Sequence, residues 1–326
     1  MKLSVVVPVY NGRNFICRCI RSIAAQTFRD MEVIVVDDGS TDGTAELLRA
    51  MKEAEPVMRP LKLRIIRQEN QGTSSARMSG VHESSGEWIA FVDSDDWIEP
   101  DFYERLFTAL DEQAGTGADI SIVCCGITEE NGNCVKLKGG RQAQLLDRRH
   151  ARLSMLDKEA FFANVYNKIY RRELLAGIDL PDGNPVGEDL DMVLQILDKA
   201  DMIFCAEGNG YHYIRRRGSQ TLRRFGEEKR QGYLNSRRIE KDFTGSREER
   251  DALARYLMIE YVSCLLLMYR SKVRDREMER EILRFVREHR RDFIRNSGDG
   301  FAAKACIALL DPLSSGLFYA IWPRRY

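Results

Sequence analysis

The chain has 326 residues, of which 44% are hydrophobic and 31% charged, and its 50 basic and 50 acidic side chains cancel. This composition is typical of a globular protein and excludes a low-complexity, collagen-like or wholly disordered chain. Zero net charge disfavours a protein whose main partner is nucleic acid. The charge is uneven, however, because residues 201–326 carry 26 basic against 18 acidic side chains. The length favours one large domain with an appendage, or two modest domains.

The 8 cysteines lie mostly within apolar segments and include no CxxC pair. A zinc site is therefore disfavoured, and reduced thiols in a cytoplasmic protein are the preferred interpretation. The first apolar run, Leu3–Val7, is interrupted by Pro8 and does not resemble a secretory signal. No run reaches the roughly 20 apolar residues that a membrane-spanning helix needs.

Apolar β-branched runs alternate with helical spacing in the first part of the chain. Strands are predicted over Leu3–Val7, Glu32–Val36, Leu63–Ile66, Trp88–Val92 and Asp119–Cys125. Helices are predicted over Asn14–Gln26, Asp42–Met51, Ser74–Glu83 and from Pro100 to about Ala114. Such alternation predicts an α/β fold, a three-layer sandwich with helices on both faces of a mainly parallel sheet.

The later part of the chain changes character near residue 222. Before that point the patterns predict a hairpin or loop over Asn131–Gly140, a helix from Asp157, a short segment at Asn167–Tyr170, a helix over Glu188–Leu197, and strands over Met202–Cys205 and Gly210–Ile214. Beyond it come three long helical patterns rich in Arg and Glu, over Glu227–Asp242, Arg247–Lys272 and Asp275–Arg295. We therefore expect a domain over residues 1–222 and a helical region over 223–326.

Polar clusters follow three of the predicted strands, at Pro8–Asn11, Asp37–Ser40 and Asp93–Asp96. Because ligands bind beyond the carboxyl ends of parallel strands, the clusters predict one site on one edge of the sheet. Asp93 and Asp95 offer the hard oxygen ligands that Mg²⁺ or Mn²⁺ prefers, with substrate phosphates completing the coordination. The alternative is an acidic turn that only caps the next helix.

Two further carboxylates have functional interpretations. Asp38 can accept a hydrogen bond from the imide N–H of uracil or from a ribose, or it can serve only as a helix cap. Asp189 stands at the start of an apolar-periodic helix and is a candidate general base. Simple capping is again the alternative.

These segments together resemble the family 2 glycosyltransferases, of the type that builds bacterial cell-surface polysaccharides. That family has the GT-A fold and uses nucleotide-sugar donors. The resemblance covers roughly residues 2–222 and is carried by VVVPVYNG (5–12), SIAAQT (22–27), VIVVDDGSTDGT (33–44), NQG (70–72), Ala76-Arg77, GEWIAFVDSDDW (86–97), NKIYRREL (167–174) and GED (187–189).

The resemblance implies roles for the residues that bind the nucleotide. Pro8, Val9 and Tyr10 would line the nucleoside pocket, Asp38 would bind the uracil, and Arg77 would lie near the nucleotide. Met78 departs from the Asn that the family often has after the Ala-Arg pair, which weakens any hydrogen-bonding role at that position.

The resemblance also implies the catalytic and diphosphate-binding residues. Asp93 and Asp95 match the family's Asp-x-Asp, with Asp95 as the direct metal ligand. Asp189 matches the base that deprotonates the acceptor hydroxyl. Arg216 or Ser219 would contact the diphosphate. His212 would be a third metal ligand or, as we favour, a histidine packed among aromatic side chains.

The implied reaction is inverting transfer of a sugar from a nucleoside-diphosphate sugar, UDP-linked in our preferred interpretation, to a hydroxyl of a glycan or a lipid-linked acceptor, assisted by Mg²⁺ or Mn²⁺. A nucleotidyltransferase is the weaker alternative, because Pro8–Gly12 has neither the glycine density nor the lysine of a phosphate loop. A non-catalytic scaffold that binds nucleotide sugars is a second alternative. No Gln-x-x-Arg-Trp sequence occurs, which favours addition of single sugars.

The C-terminal region contains two segments whose side-chain patterns suggest contact surfaces. A stripe over Tyr256, Ile259, Val262, Leu266 and Tyr269 indicates packing on the first domain or a homodimer contact. Residues 301–326 mix apolar and aromatic side chains with Arg324 and Arg325, which suits a helix in a membrane interface or a helix packed on the protein itself. We expect a cytoplasmic protein with peripheral contact at the inner face of the plasma membrane.

Overall fold

The computed structural model describes residues 1–54, 61–132, 134–180, 187–216 and 225–300, together with residues 303, 304 and 307. Within these ranges ten strands form one sheet, in the order β3-β2-β1-β4-β9-β6-β10-β5, with β7 paired to β6 and β8 paired to β10. The strands are β1 (Leu3–Val9), β2 (Met31–Asp37), β3 (Lys62–Arg67), β4 (Trp88–Phe91), β5 (Trp97–Ile98), β6 (Ile120–Asn131), β7 (Cys134–Lys138), β8 (Gln144–Asp147), β9 (Lys168–Arg171) and β10 (Met202–Ile214).

The sheet is mixed in direction. Strands β1, β2, β3 and β4 run parallel to one another, and β6 runs parallel to β10. Strand β9 is antiparallel to both of its neighbours, β4 and β6. Strands β1 and β2 are buried along their whole length, as their unbroken Val and Ile runs predict for strands covered on both faces. The α/β fold predicted from the sequence is confirmed.

Nine α-helices accompany the sheet in the described residues: α1 (Ile16–Ala24), α2 (Thr44–Ala54), α3 (Thr73–His82), α4 (Phe102–Glu112), α5 (Arg148–Leu156), α6 (Glu188–Leu197), α7 (Glu227–Asp242), α8 (Arg247–Arg270) and α9 (Arg276–Asn296). Short 3₁₀ helices cover Ala114–Thr116 and Arg172–Leu175. Apolar side chains of α1, α2 and α4 pack with those of the central strands in one continuous core.

The chain divides into two compact units. The described residues up to 216 form the first, except for 152–159 and 187, which belong to the second together with the residues from 225 onward. In the second unit, Ser246 and Glu249 form a capping box at the start of α8. Tyr261 of α8 contacts Tyr233 and Phe285, with ring centroids 5.3 and 4.7 Å apart. The domain boundary at residue 222 stays a prediction.

Helix α8 is, among the described helices, the one with the length and composition of a membrane span. Yet 56% of its most apolar window is buried, which is the pattern of a core helix. Its start is fixed by the Ser246–Glu249 capping box.

Two sequence-based expectations of secondary structure were wrong. The helix expected from Asp157 ends at Leu156 instead, and Lys158 has a left-handed backbone with φ of 59°. The start of α5 is set by Asp147, whose carboxylate accepts a hydrogen bond from the backbone N–H of His150 at 2.8 Å. The strands expected over Met202–Cys205 and Gly210–Ile214 are one strand, because bulges between Cys205 and Tyr211 keep β10 paired to β6 across the polar interruption.

Candidate active site

The loops that follow β1 and β2 are tied together at the carboxyl edge of the sheet. Asn11, with φ of 50°, accepts a hydrogen bond from the Thr41 backbone N–H at 2.8 Å. Its own N–H donates to Ser40 Oγ at 2.9 Å. Of the residues expected in the nucleoside pocket, Pro8 and Val9 are buried in this edge, whereas Tyr10 is 53% exposed. Tyr10 therefore offers an open aromatic face next to the strand ends.

Asp38 organises the next loop. Its carboxylate accepts hydrogen bonds from the Gln68 side chain at 2.8 Å and from the backbone N–H groups of Gln71 and Gly72, both at 2.9 Å. Gly39 has φ of 77°, and a Cβ there would meet the Asn70 nitrogen at 3.0 Å, so the turn requires glycine. Asp38 is thus held with three donors on its two oxygens, which leaves one of its roughly four lone-pair positions unused in a residue that is 3% exposed. Its role toward uracil stays a prediction.

The acidic turn Asp93–Asp96 follows β4 and is fixed by β10. The Tyr211 hydroxyl donates to Asp96 at 2.7 Å and accepts from the Asp93 backbone N–H at 3.1 Å. The second Asp96 oxygen accepts from the Ile214 N–H at 2.8 Å. Burial, reinforced by the charges of Asp93 and Asp95, raises the pKa of Asp96 well above its ordinary value. Asp96 therefore holds the turn, and leaves Asp93 and Asp95 as its two partly exposed carboxylates.

Arg216 pairs with Asp95. Its Nε donates to Asp95 Oδ2 at 3.0 Å, its Nη2 donates to the same oxygen, and its guanidinium carbon lies 3.6 Å from the ring centroid of Phe15. Arg18 donates to the Asp95 backbone carbonyl at 2.7 Å. Burial and then the charge of Asp93 raise the pKa of the Asp95 carboxyl in spite of this pairing. The structure thus brings Arg216 to the acidic turn, whereas Ser219 lies outside the described residues.

Arg77 of α3 joins the acidic turn to the start of α6. Its guanidinium donates to Asp93 at 2.9 Å, to Asp189 at 2.8 Å and to Glu188 at 3.3 Å, and the side chain is only 3% exposed. Burial acts to lower the pKa of Arg77, but Asp189, Asp93 and Glu188 outweigh it and raise that pKa. Its Nε, also buried, has no partner among the described residues. Three carboxylates from two parts of the chain therefore converge on one buried cation.

The surroundings of the carboxylates at the start of α6 raise their pKa values. Burial raises the pKa of Glu188 to about 7, although Arg77 and a 2.6 Å hydrogen bond from Ser74 Oγ oppose the rise. Burial also raises the pKa of Asp189, with Arg77 lowering it and Asp93 raising it further. A carboxylate with a raised pKa on the edge of a sheet has the properties of a general base.

His212 lies beside the site and is held by other groups. Its ring stacks on Trp97 with centroids 3.6 Å apart. Nδ1 lies 2.7 Å from Glu130 and Nε2 lies 3.3 Å from Glu99. His212 thus stacks on one aromatic ring and faces two carboxylates, and the interpretation of it as a packed histidine rather than a metal ligand stays a prediction.

The sequence did not assign roles to Asp96, Tyr211, Ser74 or Phe15. For Asp96 a signal existed, since it is the third carboxylate of the turn and only two can face one ligand. For Tyr211 the signal was its place in an alternating aromatic strand. Ser74 and Phe15 gave no signal, because their partners, Glu188 and Arg216, lie far away in the sequence and meet them only in the fold.

Comparison with known proteins identifies the family. Residues 4–178, more than half of the chain, match the family described as glycosyl transferase family 2. The chain belongs to glycosyl transferase family 2. Its similarity to GlyG of Streptococcus pneumoniae serotype 4 is 30% identity over 226 residues, which are 67% of this chain and 72% of GlyG.

Other relatives of this family 2 member are matched over shorter segments. GlyA of S. pneumoniae is 41% identical over 37% of this chain, and EpsH of Bacillus subtilis, a putative glycosyltransferase by name, is 30% identical over 53%. The matched segments span only 16% of GlyA and 48% of EpsH.

Solved structures share the fold of this family 2 member. Staphylococcus aureus TarS 1-349 in complex with UDP-GlcNAc has a TM-score of 0.66 at 23% identity, over 90% of this chain and 81% of that chain. The mannosyltransferase PcManGT of Pyrobaculum calidifontis, in complex with GDP-Man and Mn²⁺, has a TM-score of 0.56 at 18% identity, over 94% of this chain and 78% of that one.

Proposed function

We propose that the protein is an inverting glycosyltransferase that moves a sugar from a nucleoside-diphosphate sugar to an acceptor hydroxyl, with Asp189 as general base. The observation that carries the proposal is the bridge that Arg77 makes between Asp93 and Asp189. It brings Asp93, one of the two carboxylates suited to a metal–diphosphate, and the carboxylate suited to proton removal to one buried side chain. Family membership supports this chemistry over that of a nucleotidyltransferase.

The donor set of the acidic turn fits a divalent cation. Asp93 and Asp95 are 24% and 25% exposed, and burial, followed by the charge of Asp93, raises the pKa of Asp95, so a cation shared by the two carboxylates would offset this effect. Mg²⁺ and Mn²⁺ bind through one or two carboxylates plus substrate phosphates. Among the described residues no three His, Cys, Asp or Glu side chains are arranged to hold a metal by themselves. Donor phosphates and water would therefore complete the coordination.

We infer that the donor is a nucleotide sugar, with a UDP-sugar preferred. TarS, which shares the fold, binds UDP-GlcNAc, and PcManGT binds GDP-Man with Mn²⁺. Tyr10 would stack on the base, Pro8 and Val9 would form the floor of the pocket, and the remaining lone pair of Asp38 would accept the uracil imide N–H. Each of these roles is a proposal.

The reaction is a single displacement. A bound divalent cation would stabilise the negative charge that develops on the diphosphate leaving group. Asp189 accepts the proton of the acceptor hydroxyl as that oxygen attacks the anomeric carbon from the face opposite the leaving group, which inverts the configuration. Arg77 holds Asp189 in place, and the low exposure of its guanidinium limits competition from water. Arg216, and Ser219 beyond the described residues, would contact the diphosphate.

We propose a glycan or a lipid-linked acceptor, reached at the inner face of the plasma membrane. The support comes from the sequence, namely the basic surplus after residue 200 and the apolar, aromatic stretch that ends in Arg324 and Arg325. That stretch lies almost wholly outside the described residues, so both the membrane contact and the alternative homodimer contact stay proposals.

A panel of UDP-, GDP- and ADP-sugars with Mn²⁺, scored by thermal shift, tests the donor assignment. A donor at 100 times its dissociation constant adds about 2.7 kcal/mol to the stability of the folded state. We expect one UDP-sugar to raise Tm and to be hydrolysed slowly in the absence of acceptor. A donor that binds but is never hydrolysed or transferred would support the non-catalytic scaffold. No shift with any nucleotide sugar would contradict the proposal.

A further inference from the structure

Both partly exposed carboxylates of the acidic turn are already paired with arginines. Asp93 accepts from Arg77 at 2.9 Å, and Asp95 accepts from Arg216 at 3.0 Å through Nε and through Nη2 as well. Both bonds from Arg216 end on Oδ2 of Asp95, so a divalent cation that binds this oxygen needs the lone pairs that the guanidinium occupies, and its positive charge also repels the neighbouring guanidinium. Cation and arginine therefore compete for one carboxylate.

The two arginines differ in how firmly they are held. Arg77 is 3% exposed and bonds three carboxylates, so moving it would leave three acidic groups without this cation. Arg216 is 31% exposed, lies two residues beyond the end of β10, and has contacts with Asp95 and with the face of Phe15. Its long side chain can leave Asp95 without opening the core. Arg216 is the arginine that can move.

A diphosphate offers Arg216 a new partner. Phosphate oxygens bind a guanidinium in the same two-point geometry as a carboxylate does, and they carry more charge. Donor and cation arrive at the same edge of the sheet under the proposed function. When the cation takes Asp95, the displaced guanidinium then has an anion within reach. The cation alone provides no such anion.

We propose that Arg216 is a positioning residue that pairs with Asp95 and thereby opposes the binding of free metal. When metal and donor bind together, its guanidinium moves from Asp95 to the donor diphosphate. The inference rests on the proposed function. This movement makes metal binding and donor binding cooperative, because each ligand lowers the free-energy cost of moving Arg216 that the other would meet alone. Couplings of this kind typically change an affinity about 5–150-fold, and they are reciprocal.

The test compares binding of Mn²⁺ alone with binding of UDP at saturating Mn²⁺, using electron paramagnetic resonance and calorimetry on the full chain. In Arg216→Ala we expect Mn²⁺ alone to bind about tenfold tighter, because Asp95 is no longer occupied. In the same variant UDP should bind about tenfold weaker, because its diphosphate loses a partner. Opposite signs in one variant are not expected from a purely structural role.

Two companion variants sharpen the test. Arg215→Ala removes the neighbouring arginine, which pairs with Glu129 at 3.2 Å and not with the acidic turn, and should change neither affinity. Phe15→Leu removes the ring beneath the guanidinium and should tighten Mn²⁺ binding in the same direction as Arg216→Ala but by less. Thermal unfolding of each variant checks that it is folded.

The outcomes separate this inference from the proposed function. A Mn²⁺ site that is lost in Asp95→Asn but has the wild-type affinity in Arg216→Ala overturns the role of Arg216 and leaves the metal assignment standing. Mn²⁺ binding that survives unchanged in Asp95→Asn overturns the metal assignment itself, and the closing role of Arg216 with it.

Discussion

The guanidinium of Arg77 donates to Asp189 at 2.8 Å, although 112 residues of sequence separate them. The same guanidinium reaches Asp93, so the candidate base and the acidic turn share one buried cation. This cation opposes the effect of burial on the pKa of Asp189, which would otherwise favour the protonated carboxyl. Arg77 thereby fixes the position of Asp189 and favours its carboxylate form, which can accept a proton.

Arg77→Met should lower the free energy of unfolding by about 3 kcal/mol, because removing one member of a buried ion pair leaves uncompensated charge behind. Urea unfolding measures the loss. Arg64→Met is the matched control, since Arg64 pairs with Glu83 on the surface, at 47% and 42% exposure, and should cost less than about 1 kcal/mol. Equal effects of the two substitutions would contradict the central role of Arg77.

Asp189→Asn should reduce kcat about 10²–10⁴-fold while leaving donor affinity nearly unchanged, which is the usual effect of losing a general base. Steady-state kinetics and calorimetry separate the two quantities. Asp191→Asn changes the third carboxylate in the first turn of α6, controls for loss of a charge at the helix start and should change kcat only a few-fold. A collapse of donor affinity in Asp189→Asn would assign Asp189 to the fold or to the sugar instead.

Asp95→Asn should abolish turnover and weaken UDP binding, because the metal would lose its direct protein ligand. Treatment of the wild-type enzyme with a chelator should do the same, and added Mn²⁺ should restore only the wild type. Asp101→Asn, which changes a carboxylate paired with Arg105 at 3.2 Å, is the control. Full activity after chelation would show that the transfer needs no metal.

Lys168 should make the stability of the protein rise with pH in the alkaline range. Burial lowers its pKa to about 8 from an ordinary 10.5, although its ammonium donates to the Asn164 carbonyl at 2.7 Å and to Asn167 at 2.9 Å. Between these values the unfolded chain binds the proton and the folded chain does not, so stability increases by about 1.4 kcal/mol per pH unit.

Chemical denaturation of the wild type and of Lys168→Met at pH 7 to 10.5 measures this slope as a difference between the two proteins. The difference removes the contribution of groups that titrate in both. A difference that is flat, or that falls with pH, would show that the ammonium keeps its proton in the folded state.

Truncation before Phe301 should weaken attachment to anionic vesicles. Each basic residue near such a surface contributes on the order of 1 kcal/mol, and the attraction is screened by salt. Flotation of the full chain with anionic and neutral liposomes at low and high salt is the measurement. If the full-length protein does not bind anionic vesicles at low salt, the membrane assignment is wrong, and the segment instead belongs to the fold or to a dimer contact.

The sequence was sufficient where a local pattern carries the information. Buried strands such as Val5–Val7 are unbroken β-branched runs, so the sheet could be predicted, and the acidic clusters at strand ends indicated the edge that holds the candidate site. Helices with clear amphipathic spacing, such as Glu188–Leu197, were predicted with their bounds as found. These features depend on residues within a few positions of one another.

The rest depends on contacts between distant residues. Arg216 and Asp95 are 121 residues apart, and the sequence around either residue does not indicate that the two pair. Strand β5 has only two residues and exists because β10 lies beside it. Arg77 was expected near the nucleotide because of a resemblance, and its bonds to three carboxylates follow only from the meeting of α3 with both the acidic turn and the start of α6.

The position of β9 has a consequence for biosynthesis. This short strand lies between β4 and β6, and pairs with both, although the ribosome makes it after them. Until Lys168–Arg171 emerges, the nascent chain holds two apolar strands with facing, unpaired edges. Such edges are prone to wrong pairing until β9 joins them. Arg216 emerges later still, so Asp95 acquires its partner only after the sheet around it can close.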